Sequence, residues 1–208
     1  MQKPNRIRQL LQSGKTVTGV LVFTGSPMVV EMAAAAGCDF VIVDMEHSAL
    51  DLDRAAHLIR AADAAGITPF VRVPEVDAAL VKKLMNLDAA GIVLPHANRE
   101  NCAALIKAMH YAPDGERGAC QIVRAAGYKR GEWDAYAQRA NREMMAIALI
   151  EEQSSIADFD SLAAMPGLDV SGRYPFGLCV TSYVPTAEYA RKPALTPFFS
   201  KTSCTEYV

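Results

Sequence analysis

The chain has 208 residues, of which 51% are hydrophobic and 21% are charged, and its formal net charge is −2 at pH 7. This composition is typical of a folded globular protein, and the charge gives no electrostatic basis for binding nucleic acid or an acidic membrane. Its five cysteines are widely spaced without a C-x-x-C pair, and the sequence has no signal-type N-terminus and no apolar run of membrane-spanning length. We therefore expect a cytoplasmic protein with neither a zinc site nor a disulfide framework.

Helical and strand-type patterns alternate along the first 170 residues. The predicted helices lie at 5–14, 26–37, 51–65, 76–87, 102–112, 133–141 and 155–164, and the predicted strands at 16–23, 40–47, 67–73, 91–94, 145–150 and 168–170. Units of this kind indicate a parallel α/β sheet, which right-handed crossovers curl into a TIM-type barrel. A closed (β/α)8 barrel has eight strands, so about six βα units predict an incomplete one.

The second predicted helix begins with Ser26 as its cap and Pro27 in its first turn. Its Met28, Met32 and Ala35 share one face at helical spacing, and we expect that face to point inward.

The second predicted strand ends in a group of polar residues. Four apolar residues at 40–43 are followed by Asp44, Glu46 and His47. Because α/β proteins place their chemistry at the carboxyl ends of parallel strands, these residues are candidates for a site. The structural alternative is that Asp44 and Ser48 cap the next helix and that His47 is a surface residue.

Two further strand ends carry charged residues. A buried strand arginine such as Arg72 usually meets a carboxylate or phosphate, so it either pairs with Asp44 or Glu46 or clamps a small anionic substrate. His96, after the fourth strand, is a weaker candidate base than His47.

The fifth strand ends in Glu151 and Glu152. Alternation directs one of them over the mouth of the barrel, where a carboxylate suits Mg²⁺ or Mn²⁺. A glutamate there is also favourable at the start of the following helix. The polar stretch 114–132 is a candidate functional loop, in which Arg117 and Arg124 either bind an anion at the rim or are simply solvated.

These motifs together resemble the HpcH/HpaI aldolase family, the class II pyruvate aldolases that act on 2-oxo acids. The likeness covers about residues 5–170 and comprises Gly19, Ser26-Pro27 with Glu31, Val43-Asp44-Met45-Glu46-His47, Val71-Arg72-Val73-Pro74, Gly91-Ile92-Val93-Leu94-Pro95, Arg117-Gly118 and Leu149-Ile150-Glu151. Each piece falls at its expected place in the predicted order.

The resemblance implies a (β/α)8 barrel with a divalent metal (Mg²⁺, Mn²⁺ or Co²⁺) at its carboxyl face, chelated by pyruvate or its enolate. His47 matches the catalytic base of the family, and Arg72 matches the arginine that stabilises the enolate oxygen and binds the substrate. Glu151 matches the first metal ligand, with Asp44 and Glu46 as supporting residues. The implied reaction cleaves or forms 4-hydroxy-2-oxo acids, in a homo-oligomer where the barrel is complete.

Three positions depart from the family pattern. Pro175 stands where the family has an aspartate as the second metal ligand. Asn86 stands where an aspartate usually supports the histidine, and Leu149 where many relatives have a glutamine near the substrate.

We assign residues 1–170 to an aldolase-like barrel domain and 171–208 to an atypical tail in place of the last barrel units. The tail contains seven of the fourteen Tyr and Phe residues and no aspartate. The alternatives to a metal-dependent aldolase are a truncated, non-catalytic barrel remnant or assembly subunit, and a lyase of the citrate-lyase-β or malyl-thioester type.

Overall fold

The computed structural model describes residues 4–172 and 179–181. Its helices are α1 (Arg6–Gln12), α2 (Pro27–Ala35), α3 (Leu52–Ala65), α4 (Ala78–Asn86), α5 (Arg99–Met109), α6 (Trp133–Glu143), α7 (Gln153–Ala157) and α8 (Phe159–Ala163). Its strands are β1 (Val17–Val22), β2 (Phe40–Asp44), β3 (Thr68–Arg72), β4 (Gly91–Leu94), β5 (Met145–Leu149), β6 (Val170–Gly172) and β7 (Cys179–Thr181).

The strands form one sheet in the order β6-β5-β4-β3-β2-β1-β7. Strands β1 to β6 pair in parallel, each with the next along the chain, whereas β7 pairs antiparallel with β1. Sequential parallel pairing with a helix in each crossover is the arrangement from which a TIM-type barrel is built.

Side chains alternate along each strand between two apolar layers. In β2, Val41 and Val43 pack toward the helices, whereas Phe40 and Ile42 belong to the inner layer. Phe70 of β3 packs in the inner layer against Phe40, with ring centroids 5.8 Å apart. The same parity directs the last residues of these strands, Asp44 and Arg72, toward the interior.

Helix α1 closes the amino end of the interior. Ile7 and Leu11 join the inner layer, and Asn5 accepts hydrogen bonds from the first turn of α1. The amide of Asn5 donates to the carbonyls of Ala90 at 3.3 Å and Glu143 at 3.0 Å. The carboxyl ends of the strands, where Asp44 and Arg72 lie, are at the opposite end of the interior from α1.

The inward face predicted for α2 is wrong. Met28 and Met32 are each 63% exposed, and the buried residues of the helix are Val30 and Ala33. Because the helix is apolar almost all round, its periodicity has no unique inward face. Contact with α3 and β1 selects the buried side instead.

The last described elements also differ from the predicted ones. The helix predicted at 155–164 is divided into α7 and α8 near Asp158, and the sixth strand begins at Val170 rather than at residue 168. One short strand, β7, lies within the residues assigned to the atypical tail. Pro175 lies outside the described residues. Within the described part of the chain, no helix is long and apolar enough to span a membrane.

Gly91 lies where β4 leaves no room for a side chain beside β5. A Cβ atom at this position would lie 2.1 Å from the carbonyl oxygen of Met145 in β5. We expect Gly91→Ala to lower the free energy of unfolding by about 2 kcal/mol, because the strands must separate to admit the methyl group. Urea denaturation measures this loss.

Gly118→Ala is the matched control for that experiment. Its Cβ would meet only the flexible side chain of Lys82, at 3.4 Å. The free energy of unfolding should then stay within about 0.5 kcal/mol of the wild-type value. Equal stability of the two variants would contradict the close contact of β4 with β5.

Candidate active site at the carboxyl ends of the strands

A buried ion pair joins the ends of β2 and β3. Arg72 donates from Nε to Asp44 Oδ1 at 2.9 Å and from Nη2 to Asp44 Oδ2 at 2.8 Å. The arginine side chain is 5% exposed and the aspartate side chain is 0% exposed. The pair follows from the register, since these residues are direct partners in the β2–β3 ladder. Of the two alternatives for Arg72, the ion pair with a neighbouring carboxylate is therefore present in the structure.

Asp44 also organises the chain that follows it. Its Oδ1 accepts from the backbone N–H groups of Glu46 at 2.9 Å and His47 at 3.3 Å. Burial by itself opposes ionisation of Asp44, but the hydrogen bonds from Arg72 and from the backbone outweigh it, so the pKa of this carboxyl lies below its ordinary value. The carboxylate is therefore charged at neutral pH and holds the turn at residues 45–48.

Glu46 connects the ion pair to two histidines. Its side chain is 8% exposed, and its Oε2 lies 3.1 Å from Arg72 Nε. Its Oε1 lies 3.5 Å from His47 Nε2 and 3.7 Å from His96 Nε2. Glu46 therefore joins residues that follow β2 and β4 to the arginine that ends β3.

His47 lies at the edge of this cluster. Its side chain is 65% exposed, while its backbone N–H is held by Asp44. An accessible imidazole beside a buried carboxylate has the arrangement required of a general base.

Glu151 and His96 come together from the ends of β5 and β4. The backbone N–H of His96 donates to Glu151 Oε2 at 3.2 Å, and the imidazole Nδ1 lies 3.0 Å from Glu152 Oε1. Sequence reasoning ranked His96 below His47, yet the structure places it between carboxylates from two strands. The available signal was its position directly after Pro95 at a strand end.

The carboxylate of Glu151 is suited to a hard divalent cation. It is partly exposed, and its Oε1 has no polar partner among the described residues. Mg²⁺ and Mn²⁺ prefer oxygen ligands and keep open positions for water and substrate. Within residues 4–172 and 179–181, no three His, Cys, Asp or Glu side chains enclose a metal ion by themselves. Glu151 therefore suits the place of one ligand in an open site, whose other positions are left to further donors, water and substrate.

Comparison with known sequences places this arrangement in a family. The sequence model described as "HpcH/HpaI aldolase/citrate lyase" matches residues 18–171. The chain belongs to the HpcH/HpaI aldolase/citrate lyase family. It is 32% identical over 161 residues to the 2-dehydro-3,6-dideoxy-6-sulfogluconate aldolase of Pseudomonas putida, a match that covers 77% of this chain and 62% of that protein.

A second relative is the hydroxypyruvate/pyruvate aldolase of Paraburkholderia phytofirmans, which is 34% identical over 172 residues. That match covers 79% of this chain and 65% of the relative. The chain thus spans less than two thirds of the length of these relatives.

Solved structures have the same fold. The HpcH/HpaI aldolase from Desulfitobacterium hafniense has a TM-score of 0.76 at 32% identity, with 83% of this chain and 67% of that chain covered. The citrate synthase SbnG has a TM-score of 0.70 at 34% identity, with 81% and 64% covered. The predicted family and the predicted TIM-type α/β architecture are confirmed.

Asn86, one of the departures from the HpcH/HpaI pattern, lies far from the predicted partner. It ends α4, and its Oδ1 accepts from Arg117 Nη2 at 2.8 Å. Because crossover helices run opposite to the strands, the end of α4 lies at the amino end of the sheet. The described contacts of His47 do not include Asn86, so the expected support is not formed within one chain.

The arginines of the polar loop do not reach the carboxyl ends. Arg117 is buried, with its guanidinium carbon 4.4 Å from the centre of the Tyr111 ring. Arg124 pairs with Asp63, near the end of α3, at 2.8 Å. Burial lowers the pKa of Arg117, which is stabilised by its ring and amide contacts. Arg117 is therefore not solvated, and binding of an anion at the rim by these arginines stays a prediction.

Leu149 ends β5 on the interior side. It is buried in the inner apolar layer with Phe70 and Val93. Its carbonyl accepts from the backbone N–H of Ala97 at 3.1 Å, which joins the ends of β4 and β5. A contact of Leu149 with substrate stays a prediction, as does the effect of Pro175 on metal binding.

We expect Asp44→Asn to lower the free energy of unfolding at pH 7 by about 3 kcal/mol, because it removes the charged, bidentate partner of a buried guanidinium. Folding lowers the pKa of Asp44. The ionised carboxylate therefore contributes to the free energy of unfolding at pH values above its ordinary pKa of about 3.9, and this contribution is lost as the pH falls through the lowered pKa. Urea denaturation between pH 7 and pH 3 measures both effects.

Asp53→Asn is the control, because Asp53 is an exposed residue of α3. Its free energy of unfolding should remain within about 0.5 kcal/mol of wild type. A deficit for Asp44→Asn that was equally large at both ends of this pH range would contradict the titration of Asp44.

Proposed function

We propose that this chain provides the chemistry of a metal-dependent aldolase that cleaves or forms 4-hydroxy-2-oxo acids, with pyruvate as one partner. The observation that carries the proposal is that His47, Arg72 and Glu151 lie at the carboxyl ends of β2, β3 and β5 in one sheet, linked through the contacts of Glu46 and His96. Relatives named as pyruvate, hydroxypyruvate and 4-hydroxy-2-oxovalerate aldolases support it.

His47 has the role of general base in the cleavage direction. Its neutral imidazole accepts the proton of the substrate 4-hydroxyl group as the bond between C3 and C4 breaks. The electron pair of that bond moves toward the ketone of the 2-oxo acid, and a later protonation at C3 yields pyruvate. Glu46, 3.5 Å from His47 Nε2, stabilises the imidazolium that forms.

Arg72 places a fixed positive charge beside the position where the substrate oxygen becomes negative. Asp44 holds the guanidinium in one orientation, so no reorganisation is needed as charge develops. Glu151 would hold the divalent cation. When bound, Mg²⁺, Mn²⁺ or Co²⁺ supplies Lewis-acid polarisation of the ketone.

The family also includes citrate lyases, and the structural relative SbnG is named a citrate synthase. A lyase that acts on acyl thioesters is therefore the second candidate. Pyruvate should raise the melting temperature of a pyruvate aldolase by mass action, whereas an acyl-CoA should do so for the alternative.

Two further proposals concern the oligomeric state of the protein and its location in the cell. Self-association into a homo-oligomer is supported by the large exposed apolar side chains of Phe23, Met28 and Met32. A cytoplasmic location stays a prediction from composition.

We expect the full chain, supplied with Mg²⁺, Mn²⁺ or Co²⁺, to release pyruvate from a 4-hydroxy-2-oxo acid, and EDTA to abolish the release. His47→Gln should lower kcat by about 10²- to 10⁴-fold, because the base is lost. Coupled detection of pyruvate measures the rate.

His57→Gln is the matched control, since His57 is an exposed histidine of α3. Its kcat should equal that of the wild type. A folded, metal-supplied chain that released no pyruvate would reject the aldolase and favour a non-catalytic barrel or assembly subunit.

A further inference from the structure

His96 has an unusual backbone conformation. Its φ is +47°, in the left-handed region that residues with a side chain rarely adopt. Such a conformation persists only where the surroundings hold it, and it is often found at functional sites. The contacts that hold this conformation therefore indicate what His96 does.

Three contacts hold the turn that contains His96. The amide of Asn101, in the first turn of α5, donates to the carbonyl of His96 at 3.0 Å. The backbone N–H of Ala97 donates to Leu149 at the end of β5, and the hydroxyl of Ser155 donates to the carbonyl of Ala97. The turn is thus attached to β5, α5 and α7.

The consequence is a backbone donor directed at Glu151. The N–H of His96 lies 3.2 Å from Glu151 Oε2, so one carboxylate oxygen is fixed while Oε1 has no polar partner within the described part of the chain. A rigid donor of this kind orients a carboxylate ligand and thereby strengthens metal binding.

The imidazole of His96 adds a second restraint. Its Nδ1 is 3.0 Å from Glu152 and 3.6 Å from Glu151, and its Nε2 is 3.7 Å from Glu46. The ring therefore lies between the carboxylates of Glu46, which follows β2, and of Glu151 and Glu152, which follow β5. The hydrogen bond of the ring is the one with Glu152, and the imidazole also lies between negative charges that would otherwise repel each other.

We propose that His96 is a positioning residue, which orients the Glu151 carboxylate for a divalent cation through its left-handed backbone and its bridging imidazole. This inference rests on the proposed function, in which Glu151 is the metal ligand. His96 acts through Glu151, and it is not itself assigned a contact with substrate.

Binding of Mn²⁺ to the full chain, measured by electron paramagnetic resonance without substrate, tests the proposal. His96→Ala should raise the Kd for Mn²⁺ about tenfold, the loss typical of a residue that orients a metal ligand. His96→Asn should retain most of the affinity, because asparagine tolerates the left-handed region and keeps a side-chain donor. Asn101→Ala should weaken binding as well, since it releases the turn.

Glu151→Gln distinguishes a failure of the positioning role of His96 from a failure of the metal-ligand role of Glu151. If Glu151→Gln weakens Mn²⁺ binding and His96→Ala leaves the Kd unchanged, the positioning role is overturned and the proposed function stands. If Glu151→Gln has no effect on the Kd, both the metal-ligand role and the positioning role are overturned. His57→Ala should leave the Kd at the wild-type value, and equal weakening in this variant would count against the proposal. Should His96→Ala fail to fold, the comparison of His96→Asn with Asn101→Ala decides the outcome.

Discussion

The ion pair between Asp44 and Arg72 is the interaction on which the carboxyl end of this sheet depends. Two charges are removed from water there, and a bidentate hydrogen bond offsets the cost of their desolvation. The same aspartate accepts from two backbone N–H groups of the following turn. One buried carboxylate therefore sets the direction of Arg72 and also the positions of Glu46 and His47.

The site depends on strand register as much as on residue type. Alternation gives the interior side of each strand to every second residue, and the parallel register aligns Asp44 with Arg72. Glu151 lies two residues beyond Leu149 of the inner layer, and His96 bends back toward it from the end of β4. Side chains from positions more than 100 residues apart thereby share one surface.

Much of the fold and part of the site were predictable from local sequence. β4 lies at Gly91–Leu94 as predicted, because its apolar run is short and is bounded by glycine and proline. The α2 face was not predictable, since an almost wholly apolar helix has no periodic signal. The contacts of His96 and Asn86 were not predictable for a different reason: the partner of each side chain is distant in sequence, and only packing reveals it.

The sequence by itself determined the alternation of strands and helices, the family, and the polar residues that follow β2, β3 and β5. These features depend on local apolar periodicity and on an ordered set of motifs, which a linear chain displays directly. Only the tertiary structure decided the partners: Arg72 with Asp44, Asn86 with Arg117, and His96 with Glu151. Hydrogen bonds and ion pairs require distances near 3 Å, and the folding of distant segments alone produces them.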